Sequence, residues 1–283
     1  MAFFKRGTVI PVLRLAGPIG LATPLRPGLS LATTAAAIEK AFSRQKSPAV
    51  AILINSPGGS PVQSRLIYQR IRDLAEEKQK PVHVFIEDIG ASGGYMLALA
   101  GDQIWADPTS IVGSIGVISA SFGLDKAIAK LGIERRVYTA GTNKMSLDPF
   151  QPEKADDIER LKSLQLDIHE VFKDMVRERR AGRLGPDGDA LFDGRVWSGR
   201  EAAELGLIDG LANMRTKMRA LYGDKVQLKL IAPRRGWLQR RLGVVALSLR
   251  GFGLGHDDAT SPGFAGDLLS AIEARALWAK FGL

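Results

Sequence analysis

The residues best suited to chemistry in this chain are small ones that follow apolar runs. Gly90-Ala91-Ser92-Gly93-Gly94-Tyr95 sets a serine on a turn between a strand-like stretch and a helix-like one. Glycine permits a sharp turn and lets a substrate backbone come close. The start of a helix also offers amide N–H groups with no intrahelical partner. A hydroxyl beside such donors is suited to acyl transfer, in which the hydroxyl attacks a carbonyl and the donors hold the oxyanion that forms. The plainer alternative is that Ser92 only caps the helix. Ser56-Pro57-Gly58-Gly59 is a second turn of the same character. It lacks the lysine spacing of a P-loop and the three-glycine dinucleotide pattern. Two glycine turns at neighbouring strand ends suit a two-donor oxyanion hole better than a phosphate cradle.

A serine hydroxyl is a poor nucleophile until a base takes its proton. The chain has no cysteine and three histidines, which excludes disulfides, thiolate nucleophiles and zinc–thiolate sites and leaves a multi-histidine metal site without ligands. No metal or cofactor is expected. His83 falls inside a strand-like run, His169 in a long helical pattern and His256 in a Gly/Asp loop, and none is placed like a triad member. A lysine can be the base if it is neutral. That asks its pKa to fall from about 10.4 towards 7–8, roughly 4 kcal/mol of destabilised ammonium. Lys144 lies in a loop with Met145, Leu147 and Phe150, but its surroundings in sequence do not distinguish it from a solvated loop lysine.

Several elements must position these groups. Thr8–Leu15, Ala49–Ile54, Val82–Ile86, Gln103–Ala106 and Arg136–Thr139 read as strands. Pro61–Lys78, Ser92–Ala100, Leu124–Leu131 and Pro152–Arg180 read as helices. In the last, Ile158, Leu161, Leu164, Ile168, Val171, Phe172 and Met175 form one stripe. Strands alternating with helices predict an α/β fold with mostly parallel strands. In such folds ligands bind at the carboxyl ends of strands, where the two glycine turns lie.

The 283 residues, 45% apolar and 24% charged, suit one large domain or two small ones. The net charge of +9 is concentrated late: Lys225, Lys229, Arg234, Arg235, Arg240, Arg241 and Arg250 occur with no acid between them and with Trp237, Leu238, Leu242 and Val244 interspersed. Such a stretch reads as a solvated or subunit-contact surface, or as a peripheral membrane contact through Lys225–Arg250. Nucleic acid is not expected. The longest uncharged run, 108–124, is broken by glycines and serines, and Arg14 and Pro11 interrupt any signal-peptide core. The expected location is cytoplasmic, with an option of peripheral attachment to the inner membrane.

Taken together, Asn55-Ser-Pro-Gly-Gly59, Ala91-Ser-Gly-Gly-Tyr95, Gly113-Ser-Ile-Gly-Val117 and Gly141-Thr-Asn-Lys144 with Asp148-Pro-Phe150 resemble the signal peptide peptidase A family, the serine–lysine peptidases that include the SohB-type proteins. The resemblance runs from about Val9 to Ala212 and takes in Phe192-Asp-Gly-Arg-Val-Trp197 and Ala202–Asp209. It implies a Clp protease/crotonase-like spiral of ββα units, here with a C-terminal helical and basic extension. The domains would be a peptidase domain over 1–212 and the extension over 213–283. It also implies Ser92 as nucleophile, Lys144 as general base, Ser114 as the serine that orients the lysine, and the Gly59 and Gly93 N–H groups as the oxyanion hole. A peptide groove would be lined by Gly58, Ile111, Val112, Gly113, Ile115 and Val117. Val117 stands where histidine-using Clp relatives carry their histidine. The implied activity is hydrolysis of apolar peptides, such as cleaved signal peptides, through an acyl-enzyme. Half-size members form rings in which serine and lysine meet across a protomer boundary. Two departures stand out: no N-terminal anchor is visible, and Asn55 occupies a position where the family often has aspartate. The alternatives are an inactive, membrane-associated scaffold and a crotonase-type acyl-CoA enzyme.

Overall fold

The structure, a computed structural model, describes residues 7–20, 28–185, 188–231, 278–279 and 281. Strands β1 (Val9–Ala16), β2 (Val50–Ser56) and β3 (Val82–Ala91) form the parallel centre of one sheet. β2 is buried along almost its whole length, so a continuous apolar run is what such a strand requires. β3 is flanked on its other side by β4 (Gln103–Ala106) and then β5 (Ile111–Gly113), both parallel to it. β6 (Val196–Ser198) closes that edge antiparallel to β5. β7 (Gly210–Leu211) extends β4, and β8 (Gln227–Leu230) pairs parallel with β1. This is the expected α/β architecture, of the Clp protease/crotonase kind.

Helices α1 (Leu31–Phe42), α2 (Pro61–Glu77), α3 (Gly93–Ala98) and the C-terminal part of α5 (Ala155–Arg179) cover one face of the sheet. Their ends are written in the sequence. Ser30 caps α1 in a capping box with Thr33, and Ser60 caps α2 with Pro61 at its first position. Ile38, Phe42, Ile67, Ile71, Leu97 and Phe172 meet Ile52, Ile54, Val84 and Ile86 of the sheet in the main core. A short helix, α6 (Gly199–Glu204), follows β6 and starts at a capping box of Ser198 and Glu201. The opposite face of the sheet is smaller. There α7 (Met214–Tyr222) lays Met218 against Ile10, Val12, Ala51 and Phe85. Both α7 and β8 follow residue 212, so the chain beyond that point first returns to the same sheet before reaching 231.

One expected strand is absent. Arg136–Thr139 carries no ladder and is exposed, with Tyr138 at 91%. β-Branched composition alone does not make a strand: its N–H and C=O groups need a neighbour, and no described strand lies beside this one. Between α4 (Asp125–Lys130) and α5 the chain is irregular. The stripe on α5 is likewise only partly covered, since Phe172 and Met175 are buried while Leu164 and Val171 are exposed. Of the basic stretch only Lys225 and Lys229 are described. Arg234, Arg235, Arg240, Arg241, Arg250 and the interspersed Trp237, Leu238, Leu242 and Val244 lie outside the described residues, as does His256. Among the described residues no helix is long and apolar enough to cross a membrane.

Candidate active site

The two glycine turns converge. β2 and β3 run in register from Val50/Val82 to Ile54/Ile86, after which Ser56 faces Gly90, so β3 bulges outward at Glu87-Asp88-Ile89. Arg14 pairs with Glu87 at 2.9 Å beside the bulge. Asn55 donates through Nδ2 to Asp88 at 2.6 Å. That bond explains the departure at residue 55, because an aspartate there would set one carboxylate against another.

Ser92 sits at the point where β3 turns into α3, with φ 52° and ψ −123°. A non-glycine residue there stores on the order of 1–3 kcal/mol of strain, and the surroundings must over-determine it. They do so: Ser92 N–H donates to Gly113 O at 2.8 Å, and Ser92 O accepts from the N–H groups of Tyr95 and Met96. Although Ser92 occupies the N-cap position, its side chain makes no capping bond. The capping alternative is thereby removed, and Ser92 is partly exposed.

Gly58 and Gly59 pack directly against this turn. A Cβ on Gly58 would lie 2.8 Å from Ser92 Cβ and 2.9 Å from Gly93 N. Gly59 is close enough that a Cβ on Gly93 would stand 3.4 Å from its nitrogen. Neither the Gly59 nor the Gly93 N–H has a protein acceptor among the described residues, whereas backbone donors in such places are nearly always paired. The 58–60 turn is held by the chain before α1: Ile19 N–H donates to Gly58 O at 2.8 Å, and Ser60 N–H donates to Ile19 O at 2.9 Å.

Ser114 follows Gly113 in the third motif. It is buried, has φ 52°, and its N–H donates to Arg195 O at 2.8 Å. The Trp197 ring lies against Gly113 and leaves no room there for a side chain. His169 of α5 bonds through Nε2 to Ile115 O at 3.0 Å and so fastens the segment just after Ser114. In sequence His169 was only a helical histidine; its spacing with Phe172 and Val176, on the buried side of α5, was the available signal. Of the residues expected to line a groove, Ile111 and Val117 are partly exposed, Gly58 and Gly113 are buried beside Ser92, and Val112 and Ile115 are fully buried in the main core.

Among the described residues Lys144 makes no hydrogen bond to Ser92, Ser114 or the glycine turns. It lies in an exposed turn, its N–H donating to Gly141 O at 3.2 Å. Among the described residues no group of three or more His, Asp or Glu side chains is arranged to hold a metal ion.

Comparison with known proteins adds to this geometry. Residues 75–229, more than half of the chain, match the model for peptidase family S49. A protein named serine protease SPPA, chloroplastic, from Arabidopsis thaliana is 34% identical over 229 residues, 78% of this chain and 33% of that protein. Protease 4 of Salmonella typhi is 30% identical over 184 residues, 64% of this chain and 29% of its own length. A protein of Brucella abortus (strain 2308) named Na(+)/H(+) antiporter NhaA is 61% identical over 278 residues, 98% of this chain. The chain spans only 37% of that Brucella protein's length. Since the family match runs through β3, α3 and β5, the elements that assemble the Ser92 turn, the chain belongs to peptidase family S49.

Proposed function

We propose that the chain is a serine endopeptidase that cleaves extended apolar peptides, with Ser92 as nucleophile and Lys144 as general base. The observation that carries the reading is Ser92 itself: a strained serine that does not cap its helix, beside two backbone N–H groups with no acceptor among the described residues. In the reaction Ser92 Oγ attacks the peptide carbonyl carbon while Lys144 Nζ takes the hydroxyl proton. The Gly59 and Gly93 N–H groups bind the oxyanion. Collapse of the intermediate expels the amine, which receives the proton from Lys144. Water, deprotonated by Lys144 Nζ, then attacks the ester carbonyl carbon, and as the acid leaves the lysine returns that proton to Ser92 Oγ. Ser114, one residue beyond the carbonyl that binds Ser92 N–H, is the residue that orients the lysine.

A ring-shaped homo-oligomer completes the site in this reading, with Lys144 of one protomer reaching Ser92 of the next. Its support is the apolar surface flanking the lysine segment: Ile118 is 77% exposed, Phe122 83% and Leu131 74%. Side chains of that kind gather at association surfaces. The antiporter name belongs to proteins of which this stretch is little more than a third, and the S49 match lies inside the stretch shared with them. Cleaved signal peptides are the substrate class the reading favours.

The test is labelling with a fluorophosphonate probe together with turnover of an apolar peptide ester, in the wild type and in Ser92→Ala and Lys144→Ala. The expected result is labelling at Ser92 and loss of turnover in both variants. Labelling that survives in Ser92→Ala places the nucleophile elsewhere. A wild type that neither labels nor turns over favours the scaffold reading, and hydrolysis of acyl-CoA independent of Ser92 favours the crotonase one.

A further inference from the structure

Between residues 118 and 160 only two residues are buried, and both are aspartates: Asp148, 8% exposed, and Asp157, 7% exposed. A segment of that length with apolar side chains turned outward has no hydrophobic core of its own to hold its shape. What it has instead are carboxylates at the centre of hydrogen-bond clusters, and both clusters grip the turn that carries Lys144.

Asp157 stands in the first turn of α5. Its Oδ2 accepts the Leu147 N–H at 3.3 Å and its Oδ1 pairs with Arg160. Leu147 has φ 57°, a left-handed conformation that a leucine keeps only when its neighbours enforce it. Asp148 makes the second grip. Its Oδ2 accepts Arg135 Nε at 2.9 Å and its Oδ1 accepts the Phe150 N–H at 3.1 Å, while the Arg135 guanidinium lies over the Phe150 ring. Between the lysine and these anchors the turn is closed by Ser146 Oγ donating to Asn143 O at 3.0 Å. Bonds to ionised carboxylates are the stronger class of hydrogen bond. Burial pushes the Asp157 carboxyl up, but its bonds from Leu147 and Arg160 outweigh that and hold it below the usual carboxylate range.

We propose that Asp157 and Asp148 are positioning residues for Lys144: they fix the 141–150 turn in the free chain, so that the lysine reaches a serine already oriented. The inference rests on the reading of Lys144 as the base and adds to it the device that aims the base. A base carried on a loose turn samples many geometries, and a displacement of about 1 Å at a reacting group costs on the order of 100-fold in rate.

The experiment measures kcat and KM for an apolar peptide ester in Asp157→Ala, Asp157→Asn, Asp156→Asn and Lys144→Ala, with light scattering to record assembly. Asp156 is the control: it occupies the same helical turn and is exposed. The expected result is about a 100-fold loss of kcat with little change in KM for Asp157→Ala. Asp157→Asn, which still accepts from Leu147, should recover part of this loss, and Asp156→Asn should match the wild type. If Asp157→Ala aggregates, the double variant Asp157→Asn with Asp148→Asn, which keeps the side-chain volumes, takes its place, with a loss of kcat at constant KM that exceeds the loss in Asp157→Asn alone. Wild-type kcat in the Asp157 variants, with Lys144→Ala inactive, overturns the positioning role and leaves Lys144 as the base. A loss that higher protein concentration restores also overturns it, since Asp157 would then serve assembly. Full activity in Lys144→Ala removes both readings together.

Discussion

Replacing Gly59 by alanine tests the site where its geometry is tightest. The φ of Gly59 is +138°, so a side chain there brings strain of about 1–3 kcal/mol. Its Cβ would also run into the carbonyl oxygen of Ile19. Ile19 cannot step aside freely, because its N–H is bonded to Gly58 O and its oxygen to Ser60 N–H. Losing both bonds adds about 1 kcal/mol each. The sum, roughly 3–5 kcal/mol, corresponds to a fall in Tm on the order of 10 °C for a domain of this size. The larger effect is on the reaction. As the 58–60 turn yields, the Gly59 N–H swings away from the Gly93 N–H, and losing one oxyanion donor costs about 10²–10³ in kcat. Gly93→Ala is the matched comparison. Its Cβ would press on Ser64 Oγ, the end of a side chain that can rotate at the loss of its bond to Ser60 O, about 1 kcal/mol. The Gly93 N–H stays where it is, so kcat should fall far less. Both variants would be titrated with the fluorophosphonate probe, so that kcat refers to folded sites, and unfolded by heat in parallel. Gly59→Ala with wild-type kcat, or equal losses in the two variants, would refute the oxyanion reasoning.

Two further predictions concern the scaffold. Arg180 is 1% exposed; it donates through Nε to Gly206 O at 2.8 Å and pairs with Asp209 at 3.0 Å. Arg180→Met leaves Gly206 O without its donor and takes one of two cations from Asp209, which keeps Arg183 and the Ile104 N–H, and this should cost about 1–3 kcal/mol; a Tm within about 2 °C of wild type by calorimetry would contradict this. His83 bonds to the Tyr222 hydroxyl at 2.8 Å, and burial holds its imidazole below the ordinary 6.5 against the opposing pull of Gln103 and Asp102. The unfolded chain therefore takes up a proton before the folded one, so this contribution to stability is complete above pH 6.5 and declines as pH falls from there through the folded value. Tm measured from pH 7.5 down to 5.5 should fall less steeply in His83→Gln than in the wild type, and parallel curves would rule out the histidine as the cause.

Much of the sheet was legible from sequence, because the chain states its periods openly. The run at 49–54 and the helical spacing after Pro61 each lead to one structure, and Ser60 and Pro61 mark where the second begins. The turns at 55–59 and 90–94 were legible as well, since glycine is needed wherever one backbone must approach another. Other features were not. Arg136–Thr139 has strand composition but no neighbour to accept its bonds. The α5 stripe extends past the point where the rest of the chain covers it. His169, Asp148 and Asp157 are ordinary residues locally, and their importance comes from partners 54, 13 and 10 positions away.

Composition and spacing were enough to set a serine on a tight turn among glycines, with neither cysteine nor a well-placed histidine to help it. Small residues and missing residue types are local facts, and they need no folding to be read. Packing across the sheet decided that Ser92 does not cap its helix and that two N–H groups with no acceptor among the described residues lie beside it. Tertiary contacts also left Lys144 on an exposed turn built around buried carboxylates. Those outcomes depend on strand register and on which backbone packs against which, and such long-range closures leave no periodic trace in the chain.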